Sequence, residues 1–323
     1  TSALLDAENN WWGDIAGPRP YPSATGNGIN YKTCYDPIYG VTYICQYYVD
    51  ADPWIGKAEF DQITYGNKIP WVYYDGDPVN TANGNYAYSL IDLSIPIRGD
   101  IDLSFERYYN SLNPFTSAIM GYGWHHSYQI TAETLSSQVK ITYADSHAAY
   151  FNITESGFEA PAGNFDILTQ ETDGTYRLHR KDNTTYVFDG SGRIDQILDK
   201  NGHGLQFAYD STHLLSISDT DGGTLLSLTY SNQKFIQEVD ILGREVTYCY
   251  DLSDNLINVK DVEGGVTALT YDSNHRILTI TDPNGHTYLT NEYDTEGRVI
   301  QQMDAEGYIT TFFYNILDND TFV

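Results

Sequence analysis

Histidine is the residue type in this sequence that is best suited to acid–base or metal chemistry. His125 and His126 are adjacent after a tryptophan, and His147, His179 and His203 lie farther along the chain. Neighbouring residues on a strand point to opposite faces, so His125 and His126 are poorly placed to share one metal ion. The sequence has no Gly-x-Ser-x-Gly elbow, phosphate-binding loop, His-Glu-x-x-His or Cys-x-x-Cys. We therefore expect no catalytic residue, no cofactor and no metal, and hence no enzyme.

Cysteine and asparagine residues carry the remaining possible chemistry. Cys34 and Cys45 flank a Tyr/Pro/Gly-rich loop and could close a small disulfide ring in an oxidising compartment, whereas Cys249 is expected to be a lone thiol. The pattern for N-glycosylation occurs three times, although such short motifs also arise by chance. The three acceptor residues are Asn152, Asn183 and Asn319. A secreted, extracellular or cell-surface location is predicted.

The strongest pattern in the chain is an aromatic residue followed by a small acidic or polar one. It returns at steps of 21, 21, 20, 21, 22 and 21 residues through the C-terminal half. A constant spacing of this size indicates stacked structural units, which usually build surfaces rather than active sites. The seven pairs are Phe188-Asp189, Tyr209-Asp210, Tyr230-Ser231, Tyr250-Asp251, Tyr271-Asp272, Tyr293-Asp294 and Tyr314-Asn315.

A second pattern, Asp-x-x-Gly, runs in phase with the first and predicts a hairpin corner. The carboxylate accepts local backbone N–H groups, and glycine takes a positive φ without a Cβ clash. The short runs between corners are rich in β-branched and aromatic residues, so each unit should be two antiparallel strands and two turns. The turn glycines are Gly202, Gly222, Gly243, Gly264, Gly285 and Gly307.

The repeated tyrosine and aspartate residues are expected to be structural. Each tyrosine should stack beside its equivalent in the next unit, and each aspartate should form a turn. Calcium binding by the aspartates is the alternative, but the dense ligand spacing of a calcium loop is missing. The strict pairs are Tyr209 with Asp210, Tyr250 with Asp251, Tyr271 with Asp272, and Tyr293 with Asp294.

The repeat resembles a known family. The segment 293–300, Tyr-Asp-Thr-Glu-Gly-Arg-Val-Ile, followed by Asp-Ala-Glu-Gly at 304–307, is similar to the tyrosine-aspartate (YD) repeat of Rhs proteins, toxin-complex shell proteins and teneurins. Segments 78–86, 92–96, 105–111 and 121–124 resemble the module that opens the repeat region in Rhs proteins. The resemblance implies a β-sheet strip that spirals into a hollow shell, which in relatives encloses a toxin or displays a cell-surface domain.

The first seventy residues have a different pattern. The stretch 6–18, with Trp11 and Trp12, and the later segment 49–56, with Trp54, resemble the terminal stretch of right-handed parallel β-helix proteins. Large rings suit the covering of an open end, because they bury area while their N–H groups reach polar partners. A cap is the first expectation for these tryptophans, and a platform for stacking carbohydrate is the second.

Composition limits the range of partners. Lys and Arg number 17 against 44 Asp and Glu, which gives a net charge of −27. This charge repels phosphate backbones, so nucleic acid is not an expected partner. No run of eighteen apolar residues or lipid-attachment motif occurs, and we predict no membrane span. The predicted fold is all-β, an antiparallel YD-repeat strip with a cap-like segment at 1–70, an Rhs-type module at 74–187 and repeats at 188–323.

Three functions follow from these observations. The first is a non-catalytic, secreted structural protein whose exposed sheet edges associate with other copies, end to end, as a fibre. The second is a carbohydrate-binding or adhesin module that uses exposed aromatic rings. The third is the enclosing fragment of an Rhs-type polymorphic toxin, with a cargo inside.

Overall fold

A computed structural model describes residues 27–36, 41–50, 74–76, 78–81, 83–113, 117–161 and 163–314. Every regular element within these ranges is a β-strand, which confirms the all-β class. Trp11, Trp12, Trp54 and Asn319 lie outside the described residues. In the first seventy residues, strands β1 (Asn27–Asp36) and β2 (Val41–Asp50) form an antiparallel hairpin, and β1 approaches the last of the described strands without pairing with it.

The segment upstream of the repeats forms small antiparallel sheets. Strands β3 and β4 pair, β7 and β8 pair, β5, β6 and β9 make a three-stranded sheet, and β10 to β13 make a four-stranded meander. These strands are β3 (Tyr74–Asp75), β4 (Val79–Asn80), β5 (Ala87–Ile95), β6 (Leu103–Asn110), β7 (Ser117–Ala118), β8 (Gly121–Tyr122), β9 (Trp124–His126), β10 (Thr131–Thr134), β11 (Gln138–Thr142), β12 (Ala148–Thr154) and β13 (Gly157–Glu159).

The remaining strands form one antiparallel sheet of 15 strands in strict sequence order. The sheet already begins at Ile167, upstream of the predicted start of the repeats at residue 188. Its strands are β14 (Ile167–Gln170), β15 (Tyr176–His179), β16 (Thr185–Phe188), β17 (Ile194–Leu198), β18 (Gly204–Tyr209), β19 (Leu214–Asp219), β20 (Thr224–Ser231), β21 (Lys234–Asp240), β22 (Glu245–Tyr250), β23 (Leu256–Lys260), β24 (Val266–Tyr271), β25 (Ile277–Thr281), β26 (Thr287–Tyr293), β27 (Val299–Asp304) and β28 (Ile309–Thr311).

The 15-stranded sheet buries one face and exposes the other. In β18, Leu205 and Phe207 are buried while Gln206 and Ala208 are exposed. Side chains alternate between the two faces of a strand, so this pattern gives the sheet one apolar face. The small sheets pack on that face, and aromatic residues on both sides belong to one continuous core. One contact across the boundary is between the rings of Phe105 and Phe235, whose centroids are 5.5 Å apart.

A β-bulge recurs at the aromatic residue that closes each unit. Tyr209 pairs with Leu214 and Ala208 pairs with Ser216, so Leu215 is an extra residue on the facing strand. A bulge bends the strand and disrupts the ladder locally. The same register shift occurs at Phe188, Tyr209, Tyr230, Tyr250, Tyr271 and Tyr293.

Candidate functional site

The Asp-x-x-Gly corners have the hydrogen bonding that their chemistry requires. At the first of them, Asp199 Oδ1 accepts the N–H groups of Asn201 at 2.7 Å and His203 at 3.0 Å. The N–H of Gly202 donates to the carbonyl of Asp199 at 3.1 Å, and Gly202 has a φ of 82°. The other turn glycines, Gly222, Gly243, Gly264, Gly285 and Gly307, also have positive φ.

The corners that start at the tyrosine-aspartate pairs connect one unit to the next. Asp272 Oδ1 accepts the N–H of Arg276 at 2.9 Å, and Oδ2 accepts Arg276 Nε at 2.7 Å. The same guanidinium donates to the carbonyl of Asp294 at 2.9 Å and lies 4.8 Å from the ring centre of Tyr293. Equivalent arginine contacts join Asp189 and Arg193 to Tyr209, and Asp294 and Arg298 to Tyr314.

Two of the predicted aspartates close their corners without an arginine. Asp210 Oδ1 accepts the N–H groups of Thr212 and His213 at 2.7 and 2.6 Å. These hydrogen bonds, with that of His213 the largest contribution, lower the pKa of Asp210 to about 2. Asp251 uses both carboxylate oxygens on Asn255, one for its N–H and one for its side-chain amide. The aspartates therefore act as local hydrogen-bond acceptors.

The repeated tyrosines have partners other than the stacked tyrosines expected from the sequence. Each hydroxyl donates to a backbone carbonyl of the preceding unit, and that carbonyl belongs to the first residue after the preceding corner. The bulge has disrupted the ladder at this same residue. The donor and acceptor pairs are Tyr209 to Ile194, Tyr230 to Leu214, Tyr250 to Phe235, Tyr271 to Leu256, Tyr293 to Ile277 and Tyr314 to Val299, at 2.6 to 2.9 Å.

The upstream sheets use the same row of residues as their docking line. We call this row, together with the tyrosines bound to it, the tyrosine edge. The residues of the row are Ile194, Leu214, Phe235, Leu256, Ile277 and Val299. Four of its N–H groups donate to the upstream segment: Ile194 to the carbonyl of Ile130, Phe235 to that of Ile119, Val299 to that of Gly84, and Ile277 to the hydroxyl of Tyr109. In addition, Trp124 Nε1 donates to the Tyr271 hydroxyl at 2.9 Å.

A buried charged cluster lies in the core between the upstream sheets and the repeat sheet. Asp92 Oδ2 accepts Arg107 Nε at 2.5 Å and the Tyr248 hydroxyl at 2.8 Å. That hydroxyl also lies 3.0 Å from Glu238 Oε1, while Glu238 Oε2 is buried without a partner. Burial raises the pKa of both carboxyls, but the Arg107 ion pair opposes the increase at Asp92. Glu238 is therefore the carboxyl of this cluster that holds a proton more readily.

Of the two adjacent histidines, His126 is buried in the core and His125 is half-buried. His126 stacks on Phe105 with ring centres 5.1 Å apart, and its Nδ1 accepts the N–H of Tyr128 at 3.2 Å. Burial lowers the pKa of His125 to about 4 and that of His126 to about 3, so both rings are neutral near pH 7. His126 therefore acts as a packing and hydrogen-bonding residue.

The other candidate residues are dispersed. Cys34 pairs with Tyr43 and Cys45 pairs with Lys32 in the β1–β2 ladder; their side chains lie outside the described part, so the disulfide stays a prediction. Cys249 is an exposed free thiol on β22. Asn152 lies at an exposed position on β12 and Asn183 in an exposed turn, so both suit the predicted glycosylation, which is untested. His179 is exposed on β15.

Clustered metal ligands and long apolar helices are absent from the described ranges. Among those residues, no group of three His, Cys, Asp or Glu side chains is placed to hold a metal ion. No helix long and apolar enough to cross a membrane occurs in the same ranges.

Two kinds of functional contact escaped the sequence reasoning. The inter-unit arginines carry a readable signal, because Asp-x-x-x-Arg recurs at 189–193, 272–276 and 294–298. The docking residues Tyr109 and Trp124 carry no periodic signal, because their partners His275 and Tyr271 lie far away in the sequence. The arginine spacing could have been predicted from the sequence, whereas the docking of the upstream sheets on the tyrosine edge could be found only in the structure.

Comparison with known proteins gives family matches to two parts of the chain. Residues 250–287 match the RHS Repeat family, and residues 76–151 match a domain of unknown function, DUF6531. The chain is 27% identical over 252 residues to "Probable deoxyribonuclease RhsA" of Dickeya dadantii, covering 73% of this chain and 17% of that protein.

Other relatives include "Double-stranded DNA deaminase toxin A" of Burkholderia cenocepacia and "tRNA nuclease WapA" of Bacillus subtilis. The first is 26% identical, and the match covers 76% of this chain and 18% of the relative. The second is 29% identical, and the match covers 62% of this chain and 8% of the relative. The chain thus spans less than a fifth of the length of these relatives. Among solved structures, the crystal structure of TcdB2-TccC3-Cdc42 is 13% identical with a TM-score of 0.30, over 85% of this chain and 15% of that one.

Proposed function

We infer that this chain, which is an Rhs/YD-repeat protein, is a non-catalytic segment of a β-sheet wall that encloses, spaces or displays other material. The wall is secreted or displayed at the cell surface. Its repeat sheet supplies the extended surface, and the upstream sheets dock along that surface from Ile194 to Val299. Its mechanism is mechanical, because the conspicuous side chains of the repeat are used to hold one unit to the next.

One observation carries this proposal: the tyrosine edge joins every unit to its neighbour by the same contact. From Tyr209 onward, each unit contributes a tyrosine hydroxyl that donates to a backbone carbonyl of the unit before it, at distances of 2.6 to 2.9 Å. Stability in such an array comes from nearest-neighbour contacts, so a further unit can be added by the same contact without a change in the other units. A protein built in this way is suited to architecture.

The sheet has a strand edge through which it can extend. Within the described ranges, β28 pairs with β27 on one side only, and Ile309 on this strand and Phe313 just after it are exposed. An unpaired strand edge is a template for another strand. We propose that a further repeat or a second copy of this chain adds there, and that copies assemble end to end into a fibre.

The test of a non-catalytic role is an assay of the purified chain against the substrates of its relatives. Incubation with double-stranded DNA and with total tRNA should give neither cleavage nor deamination, while small-angle scattering should show an elongated particle. Cleavage or deamination that survives a repeated purification would overturn the proposal. Detection of the chain in the culture medium or on the cell surface tests its location.

A second candidate function is the wall of a larger toxin protein, and the relatives favour it. The chain matches less than a fifth of proteins whose names include a deoxyribonuclease and a DNA deaminase toxin. In this case the wall encloses a cargo that lies outside the matched segment. Limited proteolysis of the full-length gene product should release a resistant fragment containing this chain. A gene product with no segment beyond the repeats would contradict this version and leave the fibre version standing.

A further inference from the structure

A cleft of about 870 Å³ lies between β6, the sheet β10–β13 and the first repeat strands. Glu106 and Tyr108 line it from β6, Tyr150 from β12, and Tyr186 from β16. None of the residues of the Asp92–Arg107–Glu238–Tyr248 cluster is among its lining. The volume is in the range of pockets that bind small molecules.

The lining of the cleft has an excess of negative charge. Its carboxylates outnumber its permanently charged cations, which are Arg180 and Lys181. Arg180 already lies 3.7 Å from both Asp166 and Asp182. A cation from outside would therefore complement the charge that remains. The carboxylates are Asp100, Asp102, Glu106, Asp145, Asp166 and Asp182.

One residue of the lining, Asp145, has a buried carboxylate oxygen without a hydrogen-bond donor. Asp145 is 2% exposed, its Oδ1 contacts His147 Nδ1, and its backbone carbonyl accepts Asn110 Nδ2 at 2.9 Å. Its Oδ2 is buried without a partner. Leaving a buried acceptor unpaired is unfavourable, so a ligand that brings an N–H to this oxygen gains free energy.

The aromatic part of the lining already binds one cation. The Arg180 guanidinium lies 5.9 Å from the ring centre of Tyr143 and 5.3 Å from that of Tyr186. Its Nη1 donates to the Tyr186 hydroxyl at 3.0 Å. Tyrosine faces attract cations, and the carbon stem of a cation packs well against a ring. The walls of this cleft therefore suit a charged group on an apolar stem.

We propose that the cleft binds an organic cation, a primary ammonium or a guanidinium on an apolar stem, with Asp145 Oδ2 accepting its N–H. The cation can come from a free diamine or from a Lys or Arg side chain of a polypeptide. This site is independent of the wall function, which needs no small ligand.

Titration calorimetry on the intact chain tests the ligand chemistry without any mutation. The probes are putrescine, a blocked Gly-Arg-Gly peptide and 1,4-butanediol, which matches putrescine in length but lacks charge. Saturable binding of putrescine, of the peptide, or of both supports the proposal, and the pattern identifies the source of the cation. Absence of binding by both cations, or equal binding of the diol and the diamine, overturns it.

A variant then tests the role of Asp145. Asp145→Asn keeps the shape but removes the charge, so it should weaken binding about tenfold or more, because hydrogen bonds to charged groups are the stronger ones. The matched control is Asp221→Asn, at an exposed corner position outside the cleft, which should bind like the parent chain. Equal affinities in a folded Asp145→Asn variant and in the control would refute the assignment of Asp145.

Discussion

Glu238 is an ionisable residue whose side chain lies fully buried in the core. Its carboxyl is fully buried, and it shares the Tyr248 hydroxyl with Asp92, which is hydrogen-bonded to Arg107. Burial, reinforced by the nearby Asp92, raises the pKa of Glu238 well above its ordinary value of about 4.5. The folded protein therefore holds a proton at Glu238 that the unfolded chain releases more readily. The stability that this proton contributes is complete below pH 4.5 and is lost as pH rises through the folded-state pKa.

Glu238→Gln should therefore change the pH dependence of stability. Glutamine keeps an oxygen for the Tyr248 hydroxyl and cannot ionise, so the variant should gain stability relative to the parent as pH rises from about 5 to 8. Urea unfolding at several pH values measures the difference. Glu263→Gln, at an exposed corner, controls for the loss of one carboxylate from a chain of net charge −27. Parallel stability curves for the parent and Glu238→Gln would contradict the assignment of the proton.

The hydroxyl of Tyr271 both donates and accepts a hydrogen bond. It donates to the carbonyl of Leu256 at 2.7 Å and accepts Trp124 Nε1 at 2.9 Å, whereas Tyr230 only donates, to Leu214 at 2.8 Å. An unsatisfied buried group costs about 1–3 kcal/mol. Tyr271→Phe should therefore destabilise by about 2–4 kcal/mol, and Tyr230→Phe by about 1–2 kcal/mol, in urea unfolding. Equal losses would show that the Trp124 contact contributes nothing.

At the scale of the element, the corner glycines separate backbone strain from packing. Gly285 has a φ of +86° and open space where a Cβ would lie, so a substitution there meets only the strain of the left-handed region. Gly285→Ala should cost about 1–2 kcal/mol. Gly190, which also has open space but no left-handed φ, is the matched control, and its alanine variant should lie within about 0.5 kcal/mol of the parent. Calorimetric melting compares them, and equal losses would mean that φ is not the cause.

The strands and corners could be predicted from the sequence because their signals are local. Asp-x-x-Gly corners and β-branched runs each occupy a few residues, and the structure has a corner and two strands in every unit of the repeat. The direction of the tyrosines could not be predicted, because it depends on the bulge. One extra residue, such as Leu215 opposite the Ala208–Tyr209 step, leaves no composition signal, yet it decides which neighbour Tyr209 meets.

At the scale of the whole molecule, the limit of sequence reasoning was sequence distance. The Asp92–Tyr248 hydrogen bond joins residues 156 apart, and the Tyr109–Ile277 bond joins residues 168 apart. No local pattern marks such pairs. For the same reason the cleft around Asp145 was not predicted, since its walls come from three separate sheets. The family resemblance predicted a wall, but only the structure shows how the upstream sheets dock on it.

The proposed end-to-end assembly makes a testable claim about the backbone of β28. Thr310 pairs with Gln302, and the N–H of Phe312 donates to the carbonyl of Ile300, so these N–H groups face β27. Because N–H groups alternate between the two sides of an antiparallel strand, the N–H of Thr311 faces away from the sheet. Thr311→Pro removes this donor while leaving the β27 ladder intact, and proline is tolerated on an edge strand.

Light scattering during size-exclusion chromatography should therefore show concentration-dependent oligomers for the parent chain and monomers for Thr311→Pro. Thr311→Ala keeps the N–H and should assemble like the parent, which separates the backbone donor from the side chain. If the parent chain is monomeric at every concentration, the proposed assembly into a fibre is wrong. Undiminished assembly of the proline variant would mean that copies meet at a surface other than this edge, because strand addition at β28 needs the outward N–H.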